Sequence, residues 1–197
     1  MQNYVEIRWH GRAQQGVVTA AKVLGEAALR MGRYVQAFPD FGPERMGAPV
    51  RAFNRISSSP INVHSQNMKP KIVLVVDTTL QGTVDSLGRK VDVREGTPED
   101  AVFIINTPAT PQDMRRHFDF QPKAKVFTVD ASRIAMDCID RHTPNTPMLG
   151  ALAKVTGVVE LDALIDNFKE NYAKKYSPQV IEGNLLAIRR GYEEVRE

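Results

Sequence analysis

The chain has 197 residues, 42% of them hydrophobic and 25% charged, with 26 basic against 23 acidic side chains and a single cysteine. A chain of this size buries about 70% of the surface its unfolded form exposes, enough for one α/β core, and its composition is that of a globular protein. One cysteine excludes an internal disulfide, and an iron–sulfur cluster normally takes four thiolates. His10, His64, His117 and His142 show no metal-ligand spacing, so no metal site is expected. The small positive net charge, with no basic run and no interleaved aromatics, does not point to nucleic acid. The longest apolar run, at residues 72–76, is far too short to span a membrane. The first residues lack the basic-then-apolar pattern of a signal peptide, so the expected location is the cytoplasm.

Residues 4–9 alternate and open with aromatic and β-branched types, which predicts a strand. Residues 10–16 read as a loop. Val17, Ala20, Ala21, Leu24, Ala27 and Ala28 predict a sheet-facing helix over 17–31, with Gly32 as its C-cap glycine. A strand at 34–38 then completes a βαβ unit. Residues 39–49 carry three prolines and two glycines in eleven positions, which predicts a shaped loop without regular structure. At 50–57, Val50, Ala52, Asn54 and Ile56 alternate with Arg51, Phe53 and Arg55, predicting an edge or antiparallel strand with an arginine-bearing face. Residues 61–63 continue it after a turn at Pro60.

Residues 72–77, 102–106 and 125–130 are apolar runs ending in Asp77, Asn106 and Asp130, the pattern of buried parallel strands. Helical links are expected between them, including one at 110–118. Helices are predicted at 131–141, at 147–156 with Thr146 as N-cap, at 161–172 and at 178–195. Cys138 stands one turn after Ile134 and is expected to be a buried structural thiol. The predicted fold is α/β: a Rossmann-like, doubly wound, largely parallel sheet with helices on both faces and a helical C-terminal segment. Residues 1–197 read as a single domain, with a sheet core at 1–143 and helices packed on it at 144–197. Ligands of such sheets bind beyond the carboxyl ends of the strands. The loop at 10–16, residues 77–79, Asn106 and Asp130 lie at that edge.

The sharpest local motif is His10-Gly-Arg-Ala-Gln-Gln-Gly16. Val17 and Val18 replace the lysine and hydroxyl of a P-loop, and Ala13 replaces the second glycine of a dinucleotide fingerprint. Two readings stay open: a tight βα turn that needs small residues, or an anion site at the helix N-terminus aided by Arg12. No Gly-x-Ser-x-Gly elbow is present. The strand-end acids Asp77 and Asp130, and Glu44, are expected to cap helices or brace loops, so no catalytic residue is assigned.

Three ordered blocks, at residues 6–24, 34–55 and 144–157, and the tail at 184–195, resemble the gamma subunit of 2-oxoacid:ferredoxin oxidoreductases, most closely that of the pyruvate enzymes. One departure stands out: Gln14 occupies a position where the family carries glycine. The resemblance implies a cytoplasmic multisubunit enzyme that oxidatively decarboxylates a 2-oxoacid, here pyruvate, to an acyl-coenzyme A and passes electrons to ferredoxin. It places thiamine diphosphate, Mg²⁺ and [4Fe–4S] clusters on alpha-, beta- and delta-type partner subunits. It leaves this chain inactive alone, without cofactor, metal, nucleic acid or membrane contact. Its expected contribution is assembly and help in binding coenzyme A, with Gly11, Arg12, Gln15 and Gly16 as the candidate coenzyme A or anion site. Candidate interface residues are Phe41, Pro43, Glu44, Arg45 and Asn145. The competing classes are a free-standing Rossmann-like nucleotide-binding oxidoreductase and a ligand-free scaffold.

Overall fold

The structure is a computed structural model that describes residues 4–41, 47–63, 65, 69–85 and 88–197. The chain runs β1 (Tyr4–Arg12), α1 (Val17–Arg30), β2 (Tyr34–Phe41), β3 (Pro49–Ser57), β4 (Ile72–Val75), a 3₁₀ turn (Thr78–Leu80), β5 (Val102–Asn106), α2 (Pro111–Phe118), β6 (Lys125–Val129), α3 (Ala131–Ile139), α4 (Asn145–Thr156), α5 (Leu161–Tyr172) and α6 (Pro178–Glu194). The strands form one six-stranded sheet in the order β2-β3-β1-β4-β5-β6. β1, β4, β5 and β6 pair in parallel, whereas β3 is antiparallel to both neighbours. The expected α/β class and largely parallel sheet are therefore present.

Several local expectations are corrected. β1 and β2 do not pair as a simple βαβ unit, because β3 lies between them. The connection at 42–48 is too short for a parallel crossover, which takes about a dozen residues, so β3 must return antiparallel. Of the two forms expected for β3, the antiparallel one is present; the edge strand is β2. Residues 39–41 finish β2 and Pro49 opens β3, so the irregular segment is shorter than expected. Residues 61–63 form no strand; the Val63 carbonyl instead accepts from Gln36 Nε2 at 2.9 Å. Among the described residues, the link from β4 to β5 holds the 3₁₀ turn and an antiparallel bridge between Val84 and Lys90, and no helix of ordinary length. α4 starts at Asn145 with Pro144 as N-cap, while Thr146 lies inside it, buried, with its hydroxyl on Asn184 at 3.2 Å. Cys138 is only partly buried, and Arg190 Nη1 lies 3.7 Å from its sulfur.

The main core forms where one sheet face, through Ile7, Trp9, Ile72, Leu74 and Ile104, meets α1 and the helices after β6. Each such aliphatic side chain contributes about 1.5–3 kcal/mol when removed from water. Trp9 is fully buried; its indole N–H donates to Asn54 Oδ1 at 3.0 Å, and Asn54 Nδ2 donates to the Ala21 carbonyl at 2.8 Å. This relay ties β1, β3 and α1 without leaving a polar atom unpaired. α4 and α6 touch backbone to backbone, since a Cβ at Gly150 would stand 1.9 Å from the Ile188 carbonyl oxygen. The opposite face is covered by α2 and by the β4–β5 link, around Val73, Val75, Phe103, Ile105 and Phe118.

Over β1 and β3, that second face carries charged and polar residues around the buried Phe53. Arg55 Nε meets Glu6 Oε1 at 2.8 Å, and Arg8 Nη2 donates to the Val93 and Glu95 carbonyls at 3.0 and 2.7 Å. His10 sits among them, 2% exposed, with no partner for Nε2 among the described residues. Burial first, then the charges of Arg8 and Arg51, hold its pKa well below the ordinary value, so the imidazole is neutral in the fold. The unfolded chain takes up a proton below about pH 6.5 that the folded chain refuses, so stability falls as pH drops through that value. Urea unfolding of the purified chain should show His10 losing about 1.4 kcal/mol between pH 7.5 and 5.5; in His10→Gln that part of the loss should vanish.

Candidate functional site

β1 continues past its predicted end to Arg12, still paired with β3 through Arg12 and Pro49, so the loop before α1 is only residues 13–16. The Gln15 N–H donates to the Arg12 carbonyl at 3.1 Å and closes a β-turn. Its third residue, Gln14, has φ 77°, the left-handed value that makes glycine the favoured residue at this place in a type II turn. Gly16 follows at φ 76° as N-cap of α1, and a Cβ there would lie 2.7 Å from the Asn145 amide. At Gly11 a Cβ would meet Val17 Cγ2 at 2.3 Å. Small residues are thus required by close packing on both sides of the turn.

The side chains of Arg12 and Gln15 point inward. Arg12 Nε lies 3.1 Å from Asp77 Oδ2, Nη1 donates to the Gly47 carbonyl at 3.0 Å, and Nη2 donates to Thr79 Oγ1 at 2.8 Å. Gln15 accepts the Arg12 N–H on Oε1 at 2.7 Å and donates from Nε2 to Asp77 Oδ2 at 2.8 Å. Asp77 Oδ1 in turn accepts the Thr79 N–H at 2.9 Å and hydroxyl at 2.6 Å. Burial raises the Asp77 pKa, but the hydrogen bonds from Thr79 and Gln15 and the Arg12 charge outweigh it, and the net shift is downward. The acid therefore stays ionised, as the expected brace for a loop.

Because β1 and β4 are adjacent parallel strands whose connections run to opposite sides of the sheet, this network stands at a topological switch point. The predicted residues Gly11, Arg12, Gln15 and Gly16 all gather there. Asn145, read as an interface residue, joins them: it is the first residue of α4 and lies over Gly16. Phe41 closes β2, its side chain not among those described; Pro43, Glu44 and Arg45 lie outside the described residues. The far end of their segment is held by the glycine loop, through Arg12 on Gly47 and the Ala13 N–H on the Ala48 carbonyl at 2.9 Å. Neither this tie nor the meeting of Gly16 with Asn145 has a signal in the sequence, since each joins residues far apart in the chain.

The helix ends differ in how they are satisfied. α2 has a capping box from Thr110 and Asp113, α3 is capped by Asp130, and α6 by Ser177. Asn106 also accepts the Ser132 N–H at 3.0 Å. α5 carries Asp162 in its first turn. α1 and α4 have neither a side-chain cap nor an acid in the first turn, and they abut at Gly16 and Asn145. Two positive dipole ends thus converge, and among the described residues no side chain caps their N–H groups, an arrangement suited to an anion. Among the described residues the Asn145 amide has no hydrogen-bond partner.

Fold and site together define a Rossmann-like α/β chain with an anion-suited junction at its switch point. The sequence matches the pyruvate ferredoxin/flavodoxin oxidoreductase family over residues 6–194, and the chain belongs to that family. It is 46% identical over 193 residues to pyruvate synthase subunit PorC of Thermotoga maritima, covering 98% of this chain and 95% of the relative. It is 41% identical over 192 residues to the pyruvate/ketoisovalerate oxidoreductases common subunit gamma of Pyrococcus abyssi, covering 98% and 97%. The crystal structure of the Thermotoga maritima pyruvate oxidoreductase subunit superposes with a TM-score of 0.84 at 42% identity, covering 99% of this chain and 98% of that one. A 2-oxoglutarate:ferredoxin oxidoreductase from Magnetococcus marinus, solved with 2-oxoglutarate, coenzyme A and succinyl-CoA, shares the fold at 18% identity and TM-score 0.73, over 98% of this chain and 31% of that one. The expected membership and fold class are shown.

Gln14 is exposed and pays for its left-handed φ with no side-chain hydrogen bond among the described residues. A non-glycine residue there costs about 1–2 kcal/mol, part of which the greater freedom of glycine in the unfolded chain offsets. Gln14→Gly should raise stability by up to about 1 kcal/mol, read from the thermal midpoint. A lower midpoint would show that the Gln14 side chain is stabilising the loop.

Proposed function

We propose that the chain is the gamma-type subunit, without thiamine or cluster, of a coenzyme A-dependent 2-oxoacid:ferredoxin oxidoreductase that acts on pyruvate. The complex oxidatively decarboxylates the 2-oxoacid to its acyl-coenzyme A and passes the electrons to ferredoxin. Thiamine diphosphate, Mg²⁺ and [4Fe–4S] clusters sit on alpha-, beta- and delta-type partners. One cysteine supplies too few thiolates for a cluster, and the described residues hold no group of three or more metal-ligating side chains. In this reading the chain is inactive alone and acts with its partners in the cytoplasm. The relative from Pyrococcus abyssi is named as common to pyruvate and ketoisovalerate oxidoreductases, which supports placing the choice of 2-oxoacid on other subunits.

The chain's own part is to help hold coenzyme A by its phosphates. The observation that carries this reading is the junction of the two uncapped helices α1 and α4 beside Asn145. Their N–H groups and aligned dipoles complement phosphate charge. Asn145→Asp tests it with opposite signs: a carboxylate there favours the helix ends but repels phosphate. Calorimetry on the assembled complex should show coenzyme A binding at least about tenfold weaker at an undiminished melting temperature. Unchanged affinity would exclude the junction as the coenzyme A site.

The segment at 38–49 serves in assembly. Its prolines limit the entropy lost on docking, and Glu44 and Arg45 supply charges for pairing across an interface. Glu44→Ala and Arg45→Ala should each loosen the complex on size-exclusion chromatography; an intact complex in both removes this role.

A further inference from the structure

Asp77 is the meeting point of the glycine loop, yet it faces no ligand. Both its oxygens are occupied: Oδ2 by Arg12 Nε and Gln15 Nε2, Oδ1 by the Thr79 N–H and hydroxyl. Arg12, which by residue type is the phosphate ligand of the loop, is turned inward and carries contacts from Asp77 on β4's exit, Gly47 before β3 and Thr79 on the 3₁₀ turn. Its charge is balanced inside the chain. What the loop leaves for an anion is backbone: the N–H groups of the first turn of α1.

Those groups need a fixed direction, and the turn supplies little by itself. Between its own residues it has one backbone hydrogen bond, from Gln15 N–H to the Arg12 carbonyl; a second ties Ala13 N–H to the Ala48 carbonyl, and the turn contains Gln14 at a left-handed φ. Further order comes from the Gln15 side chain, which spans from the Arg12 N–H to the Asp77 carboxylate. The path from the end of β4 to the start of α1 is thus Asp77, Gln15, Arg12. Resting on the coenzyme A reading of the α1–α4 junction, we propose that Asp77 is a positioning residue for coenzyme A, acting through Gln15 and Arg12. Asp77→Asn strips Arg12 of its counter-ion and leaves one oxygen for donors that now use two, from Gln15 on one side and Thr79 on the other, which lets the turn relax. A displacement of about 1 Å at a binding group is enough to lower affinity strongly.

The test uses the reconstituted complex carrying Asp77→Asn, Asp77→Glu or Gln15→Leu. KM for coenzyme A should rise about tenfold in Asp77→Asn and in Gln15→Leu, which keeps the Arg12–Asp77 pair and carries the test should Asp77→Asn not fold. KM for the 2-oxoacid should stay put, the loss should vanish at saturating coenzyme A, and Asp77→Glu should recover part of it. A lower KM for coenzyme A in Asp77→Asn would overturn the proposal, because it would mean that Asp77 withholds Arg12 from direct phosphate contact. Unchanged KM in all three, with Asn145→Asp still impaired, would overturn the positioning role and leave the junction as the site. No effect from any of the four would overturn both.

Discussion

Arg12 and Asp77 stand 65 residues apart in sequence and close the carboxyl ends of adjacent strands. Their side chains are 27% and 15% exposed, so the pair is neither a screened surface bridge nor a fully desolvated one. Its importance comes from what shares its atoms. The guanidinium holds Gly47 and Thr79 while the carboxylate holds Gln15 and Thr79. Three segments that approach the sheet from different directions therefore have one common anchor, and the glycine turn, the start of β3 and the exit of β4 keep a fixed relation.

The antiparallel insertion of β3 sets the other half of the molecule. A parallel neighbour for β1 on that side would have brought its own crossover helix; β3 brings none. The face is covered by irregular segments, and its buried positions hold Phe53, the pair Arg55 and Glu6, Arg8 on backbone carbonyls, and His10. Arg55 and Glu6 are 1% and 9% exposed and directly opposite in register. Breaking such a pair costs more than forming it gains. The same surroundings push Arg8 down to about 10, by burial and then the charge of Arg51, and keep His10 neutral.

The helix ends are satisfied in different ways. A side chain caps α2, α3 and α6, through Thr110, Asp130 and Ser177, while α5 begins without a side-chain cap but with Asp162 in its first turn. Where α1 and α4 meet, small or amide residues replace the capping acids and hydroxyls, and the donors stay available. An end left open in this way costs the isolated chain about 1 kcal/mol for each missing cap.

Most strands and helices were legible as sequence, because hydrophobic period and end signals are local: the run 102–106, the alanine-rich stripe of α1 and Thr110 before Pro111 all sit where expected. The candidate loop was legible as a place, since a strand, a small-residue turn and a helix are contiguous. Its direction was not. Nothing local tells Arg12 to turn toward Asp77 rather than outward, or brings Asn145 over Gly16, because both depend on which strands become neighbours. The place of β3 between β1 and β2 has no local signal for the same reason, as alternation marks β3 as a strand without naming its partner. The sequence by itself determined the elements, the family and the want of cluster ligands. Tertiary structure alone decided which charges pair and which helix ends stay free, because those outcomes arise from packing between segments far apart in the chain.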